Sequence, residues 1–359
     1  MGSETRSRVQ ADMGERESQA MTFSNAVTPS PALSGPLLQV RGLTVDFPTD
    51  RGRVPVVEDV SFDLERGHTI GLVGESGSGK SVLARAMLGL VAPSGRIVRG
   101  EVRLEGRDLV TLRPRELSGV RGKEVAMIFQ QPRRSLDPAF TVGHQIAEIA
   151  RRHLKISRRD AWKRAVEMLD RVHIPMATRR VHDYPHQLSG GMCQRVMLAM
   201  ALVANPKVLI ADEPTTALDV TVQARILDLI REIQREFSLT VLFITHDLGV
   251  VAEMCDRVVV MYAGQVVENT DLRTIFRGPK HPYSQALLDS LPQLAQDRLI
   301  RIPGSMPTPG GWPEGCRFST RCGHCQPQCL DGPIPLETTG NGHLVRCVRK
   351  HEIALRGIG

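Results

Sequence analysis

Eight residues, Gly74-Glu75-Ser76-Gly77-Ser78-Gly79-Lys80-Ser81, constrain this chain more than any other stretch. They satisfy the pattern G-x-x-x-x-G-K-[ST] at every required position. Just ahead, Thr69-Ile70-Gly71-Leu72-Val73 is a short apolar run that reads as a buried parallel strand. Just after, Ser81–Leu90 reads as a helix, closed by glycine and, beyond it, by Pro93. The glycines let the backbone wrap a phosphate with its N–H groups inward, and the helix start adds the positive end of a dipole. Lys80 would reach β- and γ-phosphates, and Ser81 would hold Mg²⁺. Gly74–Ser81 and the next residue, Val82, are the expected nucleotide contacts. A chance glycine-rich turn is the competing reading, and the strand and helix on either side count against it.

Composition narrows the rest. A chain of 359 residues with 41% hydrophobic residues accommodates one large domain plus an appendage, or two domains. Aromatics are only 4%, which argues against a base-stacking platform for nucleic acid. The net charge of +7 suits an anionic partner but equally suits ordinary solubility. No run approaches 18 apolar residues, so no bilayer-spanning helix is predicted. The start lacks the apolar core of a signal peptide, and Arg6 stands where a myristoylation signal needs Ser or Thr. The chain therefore reads as cytoplasmic. In that compartment seven cysteines point to thiols or metal rather than disulfides.

Residues 1–36 are polar and aperiodic, so a disordered tail is predicted there. From Leu37, three segments alternate apolar and polar residues: Leu38–Arg41, Leu43–Phe47 and Val56–Leu64. Phe47 precedes the glycine-rich loop and is placed either to stack on a nucleotide base or to serve as a core strand residue. Gly100–Gly106 and Val125–Phe129 read as further strands, the second leading to Gln130. Across 135–187 the character becomes helical, with Val142–Ile156 and Arg158–Val172 periodic and basic on their polar sides. This is an inserted helical subdomain, its charges most simply a solvated face.

Leu188-Ser189-Gly190-Gly191 then leads towards a helix at Val196–Ala204, with Ser189 a good N-cap. Lys207–Pro214 carries an apolar strand into two acids, Asp212 and Glu213. In phosphate-loop enzymes the first such acid holds Mg²⁺, and the second is placed to deprotonate an attacking water. Asp219 follows in a turn before a helix to about Glu236. The buried strand Thr240–Thr245 ends on His246, where a histidine reaches a γ-phosphate. Val258–Ala263 and Gln265–Glu268 close the domain as a hairpin.

This ordered set resembles the ATP-binding-cassette (ABC) ATPases over residues 37–280. The wording around Val73–Ser81, Ile128–Gln130, Ala211–Asp219 and Ile244–Val251 is similar to the dipeptide/oligopeptide/nickel importer branch. His281-Pro282-Tyr283 and the cysteine-bearing tail are similar to that branch's C-terminal extension. Gln131 and Cys193 depart from the usual pattern without touching an expected catalytic position. The resemblance implies an α/β phosphate-loop NTPase core of ABC type, with an antiparallel β subdomain, the inserted helical subdomain and a small irregular, metal-stapled extension. It implies that Lys80, Ser81, Asp212 and Gln130 handle phosphates and Mg²⁺, that Glu213 is the general base, and that His246 senses the γ-phosphate. It further implies that Ser189 and Gly191 contact the nucleotide of an opposite ATPase subunit, either a paralogue or a second copy, with Gly190 and Asp219 as further nucleotide-binding residues. Two transmembrane permease subunits and an extracytoplasmic substrate-binding protein complete the implied importer. The chain would then sit peripherally on the cytoplasmic face of the cell membrane.

Residues 281–359 are rich in Pro and Gly and hold Cys316, Cys322, Cys325, Cys329 and Cys347. Spacing alone allows a four-cysteine site but selects neither four from five nor zinc over iron–sulfur. A zinc knuckle would use Cys322 and Cys325. The resemblance implies instead a [4Fe–4S] cluster on Cys316, Cys322, Cys329 and Cys347, with Cys325 spare and His324 and His343 not ligands. Free thiols are the plain alternative. Cys193 and Cys255 fall in predicted helices as packing residues.

Rival classes fit less well. A chromosome-handling ATPase would need sustained heptads between Lys80 and Leu188, and none occurs. A translation-factor protein would carry two cassettes. A non-hydrolysing adaptor would usually lack Glu213 or His246.

Overall fold

The computed structural model describes residues 35–50, 52–216, 218–291 and 302–358. The tail expected over 1–36 lies, apart from its last two positions, outside the described residues. Pro36–Gly359 forms one compact unit.

Its first part is antiparallel. β1 (Leu38–Thr49) pairs with β2 (Gly52–Leu64). The chain then crosses through β3 (Thr69–Val73) and α1 (Lys80–Met87) to β4 (Arg96–Leu104) and β5 (Arg107–Asp108). The small sheet runs in the order β2-β1-β4-β5. The two alternating segments predicted before Pro48 are a single strand. Bulges between Val40 and Leu43 absorb the change of face at Arg41-Gly42.

The second sheet carries the site. After α2 (Pro114–Val120), β6 (Val125–Ile128) leads to α3 (Pro132–Ser135) and then to the helical subdomain. That subdomain contains α4 (Val142–Leu154), α5 (Arg158–Arg171) and α6 (Ala177–Arg180), and α7 (Gly190–Leu202) follows it. β7 (Val208–Asp212), α8 (Val220–Phe237), β8 (Thr240–Thr245), α9 (Leu248–Met254), β9 (Arg257–Tyr262) and β10 (Gln265–Asp271) follow. β9, β3, β8, β7 and β6 are parallel neighbours in that order.

Every residue of β3, β7 and β8 is buried, as expected for strands covered on both faces. Alternation assigns their side chains to two cores. Leu209 and Ala211 join the core that includes the helical subdomain, while Val208 and Ile210 join the core under the antiparallel sheet. The helical subdomain obeys its own period: α4 buries Val142, Ile146 and Ala150, and α5 buries Ala161, Ala165 and Met168.

The cysteine-bearing extension is woven into this frame. After α10 (Leu272–Arg277), α11 (Pro282–Asp289) buries Tyr283, Leu287 and Leu288. The hairpin β9–β10 forms as predicted but does not end the sheet. β12 (Leu344–Val345) pairs with β10, and β11 (Glu337–Thr338) with β12. These additions are two residues long, too short to show a strand period in sequence. Buried cations fasten the rest. Arg346 donates to the carbonyls of Val266 (2.9 Å) and Ile334 (2.7 Å), and Arg317 donates to the Ala263 carbonyl and pairs with Glu58. Fully buried Glu268 accepts from His343 Nε2 at 2.7 Å and from the backbone N–H groups of Lys280 and His281. That hydrogen bond accounts for His343 without a metal.

Candidate phosphate-binding and hydrolytic site

The loop between β3 and α1 takes the shape its glycines require. Gly79 sits at φ 100° as the N-cap of α1, and Gly77 at φ 83°. At Gly74 a Cβ would lie 2.2 Å from the Met261 carbonyl oxygen, so only glycine lets the loop pass under β9. Lys80 is buried, and its Nζ donates to the carbonyls of Gly74 (2.7 Å) and Glu75 (3.0 Å). Burial lowers its pKa, opposed by the charges of Glu213, Asp212 and Glu75. Ser76 and Gly77 lie exposed on the rim, Ser78 is buried, and Val82 is half-buried in the first turn of α1.

Ser81 Oγ donates to Asp212 Oδ1 at 2.9 Å across the end of β7. Asp212 is fully buried, and its Oδ2 has no hydrogen-bond partner. Burial raises its pKa, against the Ser81 hydrogen bond and the charge of Arg85. A divalent cation fits this pair, since Mg²⁺ takes one or two protein oxygens and completes its shell with phosphates and water.

Glu213 adopts a left-handed backbone at φ 47°, turning its carboxylate off the strand line. Gln130 Nε2 donates to Glu213 Oε2 at 2.7 Å, and the Thr216 hydroxyl donates to the same oxygen at 2.8 Å. His246 Nδ1 stands 3.4 Å from Glu213 Oε1. Burial would raise the Glu213 pKa, but the Thr216 hydrogen bond, His246 and Lys80 outweigh it and the net shift is downward. The group is therefore a carboxylate at neutral pH, the form a general base needs. Four chain segments thus meet around β3, β7 and β8: the loop, Gln130, Asp212–Thr216 and His246.

Other expected contacts lie elsewhere. Ser189 caps α7 by accepting from Met192 N (3.3 Å), and Gly191 packs beside Val222 of α8. No hydrogen bond or ion pair joins Ser189–Gly191 to the phosphate loop among the described residues. Asp219 caps α8 and is exposed. Phe47 is half-buried in β1, its ring against Gly95. Sequence reasoning gave no role to Thr216, Tyr283 or Arg321. Thr216 lies within the quoted Ala211–Asp219 stretch and Tyr283 within the quoted His281-Pro282-Tyr283, but Tyr283 and Arg321 reach the loop from over 200 positions away.

The five extension cysteines line one cavity of about 10 Å³ with Phe318, Ile334 and Ile353. Burial, with mutual repulsion of the thiolates, pushes Cys316 up to about 12 and Cys347 up to about 11. The donor set matches a metal centre in kind. Among the described residues no group of three or more His, Cys, Asp or Glu side chains is arranged to hold a metal ion. The expected metal staple is thus not shown, and the buried arginines supply the fastening instead. Cys193 is buried in α7, and Cys255, also buried, caps α9.

A second cavity of about 440 Å³ lies between the core and the helical subdomain, lined by Leu88, Phe129, Ile149, Met197, Arg121 and Arg152 among others. No helix among the described residues is long and apolar enough to cross a membrane.

Comparison with known proteins agrees with this geometry. Residues 57–216 match the family described as ABC transporter, and residues 267–329 match the oligopeptide/dipeptide transporter C-terminal region. A putative peptide import ATP-binding protein of Brucella abortus is 50% identical over 88% of this chain and 95% of its own. The oligopeptide transport ATP-binding protein OppD of Salmonella typhimurium is 47% identical over 92% and 99%. Among solved structures, the ATP-binding cassette MJ0796, a dimer bound to ADP and Pi, aligns at TM-score 0.59 and 28% identity over 66% of this chain and 99% of that one. The chain belongs to the ABC transporter ATPases of the oligopeptide/dipeptide importer type.

Proposed function

We propose that this chain hydrolyses ATP to drive import of peptides through a membrane permease. The observation that carries the reading is the convergence of Ser81 and Asp212, with its unpaired oxygen, beside the carboxylate of Glu213. Peptide cargo is supported by the names of the relatives and by the match at 267–329.

In the proposed mechanism the loop N–H groups and Lys80 take the β- and γ-phosphates, Lys80 giving up the Gly74 and Glu75 carbonyls to do so. When bound, Mg²⁺ supplies charge neutralisation and a template for the phosphates, at Ser81 and Asp212 with Gln130 nearby. Glu213 accepts the proton of the attacking water, and His246 contacts the γ-phosphate. Ser189 and Gly191, exposed and half-buried away from the loop, serve the nucleotide of a second ATPase subunit, with Gly190 and Asp219 as further nucleotide contacts. Phe47 is the candidate base contact. The groove beside Phe129 is suited to a permease segment, because Gln130 follows directly and holds Glu213.

The functional regions are the ATPase domain at 37–280, its helical part at 135–187 and the extension at 281–359. The chain works at the cytoplasmic face of the membrane with two permease subunits and a substrate-binding protein, and without nucleic acid. The same subunit with nickel or short-oligosaccharide cargo is the alternative. A metal-bound extension rests on the donor set alone: [4Fe–4S] at Cys316, Cys322, Cys329 and Cys347, or zinc.

Affinity purification from membranes with mass spectrometry tests the reading. It expects two permease subunits and a peptide-binding protein; ribosomal or DNA complexes would contradict it. Anaerobic purification tests the extension, where a brown, iron-containing protein is expected and stoichiometric zinc without iron overturns the cluster.

A further inference from the structure

Glu75, the second residue of the phosphate loop, is gripped from the extension. Arg321 Nη1 donates to its two carboxylate oxygens at 3.0 and 3.1 Å, and the Glu75 backbone N–H donates to the Tyr283 hydroxyl at 2.9 Å. The Arg321 side chain is only 4% exposed. Its Nε donates to the Pro303 carbonyl at 2.7 Å, and Nη1 also reaches the Tyr262 hydroxyl at 3.3 Å. Tyr262, Tyr283 and Phe318 pack ring against ring beside it. The guanidinium is thus fixed on several sides. It stands at the end of a turn bounded by two thiols: Ser319 N donates to the Cys316 carbonyl, and Cys322 N to the Ser319 carbonyl.

The charge arithmetic gives this grip a consequence. A nucleoside triphosphate brings several negative charges to the loop, and a bare carboxylate at position 75 would repel them at short range with little screening. Paired with Arg321, Glu75 contributes no net charge.

We propose that Arg321 is a positioning residue for nucleotide binding: it neutralises Glu75 beside the phosphates and, with Tyr283, holds the first turn of the loop. This rests on the reading of the loop as the ATP site. Nucleotide affinity then depends on order in the cysteine-bounded turn, although among the described residues no hydrogen bond joins a cysteine to the loop.

The test titrates the full-length chain with Mg-ADP by calorimetry and measures ATPase kinetics in parallel. Arg321→Met, which keeps an apolar stem beside Phe318, should weaken Mg-ADP about ten-fold and raise KM for ATP similarly, with kcat changed less than about two-fold. Arg321→Lys should recover part of the loss. Adding Glu75→Gln to Arg321→Met should restore most of it, which a merely structural role would not do. Glu75→Gln alone, with the extension intact, should tighten Mg-ADP about two- to three-fold, and this carries the test if Arg321→Met does not fold. Unchanged affinity in Arg321→Met, no recovery in the double variant, or weakening by Glu75→Gln alone overturns the proposal. A wild-type chain that binds no Mg-ADP would overturn the ATP-site reading beneath it, a distinct result.

Discussion

The phosphate loop and the cysteine-bearing extension are neighbours built on opposite plans. The loop is held by what it lacks: without a Cβ at Gly74 the backbone passes within reach of Met261, and Gly77 and Gly79 supply positive φ. The extension is held by what it adds. Arg317, Arg321 and Arg346 reach out of the extension to satisfy carbonyls of the core and of the extension itself. Local geometry is written in a short motif, and side-chain anchors act over long separations. Substitutions at the loop and the strand ends beside it should therefore stop chemistry or strain the backbone that carries it, and those in the extension should shift stability or affinity.

The largest expected effect lies at the strand ends. Glu213→Gln should reduce kcat by about 10²–10⁴-fold while Mg-ATP still binds, because Gln keeps the Gln130 and Thr216 neighbours but cannot take a proton. Rapid-quench turnover with equilibrium binding checks both halves. Next is Gly74→Ala. Its methyl meets backbone rather than a flexible side chain, and a loss of roughly 3 kcal/mol is expected in denaturant unfolding.

Arg346→Met addresses the other region. It leaves the Val266 and Ile334 carbonyls without their donor, a cost of about 2 kcal/mol. Hydrogen exchange should accelerate at Leu344–Val345, while Mg-ADP affinity stays within about two-fold.

The smallest effect on stability has the opposite sign. Burial raises the Asp212 pKa above its ordinary 3.8, so the folded state holds the proton longer than the unfolded one. Stability falls as pH climbs from that ordinary value through the folded one, and above it the desolvated carboxylate is a standing cost. Asp212→Asn keeps an acceptor for Ser81 and removes the charge. The nucleotide-free protein should gain roughly 1 kcal/mol, about 2 °C in melting temperature at neutral pH, and lose Mg²⁺-dependent turnover.

Much of the fold was legible because its signals are local. The runs at β3, β7 and β8 are continuously apolar since helices or the second sheet cover both faces, and α4 and α5 show their period plainly. α7 begins at Gly190, not Val196, because Ser189 caps it and the following glycines are carried into the first turn. The extension was not legible in the same way. Its order depends on Arg321 meeting Glu75, 246 positions away, and on Glu268 meeting His343, 75 positions away. Neither pairing leaves a periodic trace. The cysteines drew the eye to metal, while the arginines between them make the contacts the structure records.

The central claim, ATP hydrolysis at Glu213 coupled to peptide import, is tested most directly by uptake. A labelled oligopeptide would be followed into vesicles containing the permease subunits, the binding protein and this chain, with ATP supplied on the side where the chain is bound. The account predicts ATP-dependent accumulation with the wild-type chain and none with Glu213→Gln. Equal accumulation by the two proteins, or by vesicles lacking the chain, would contradict it.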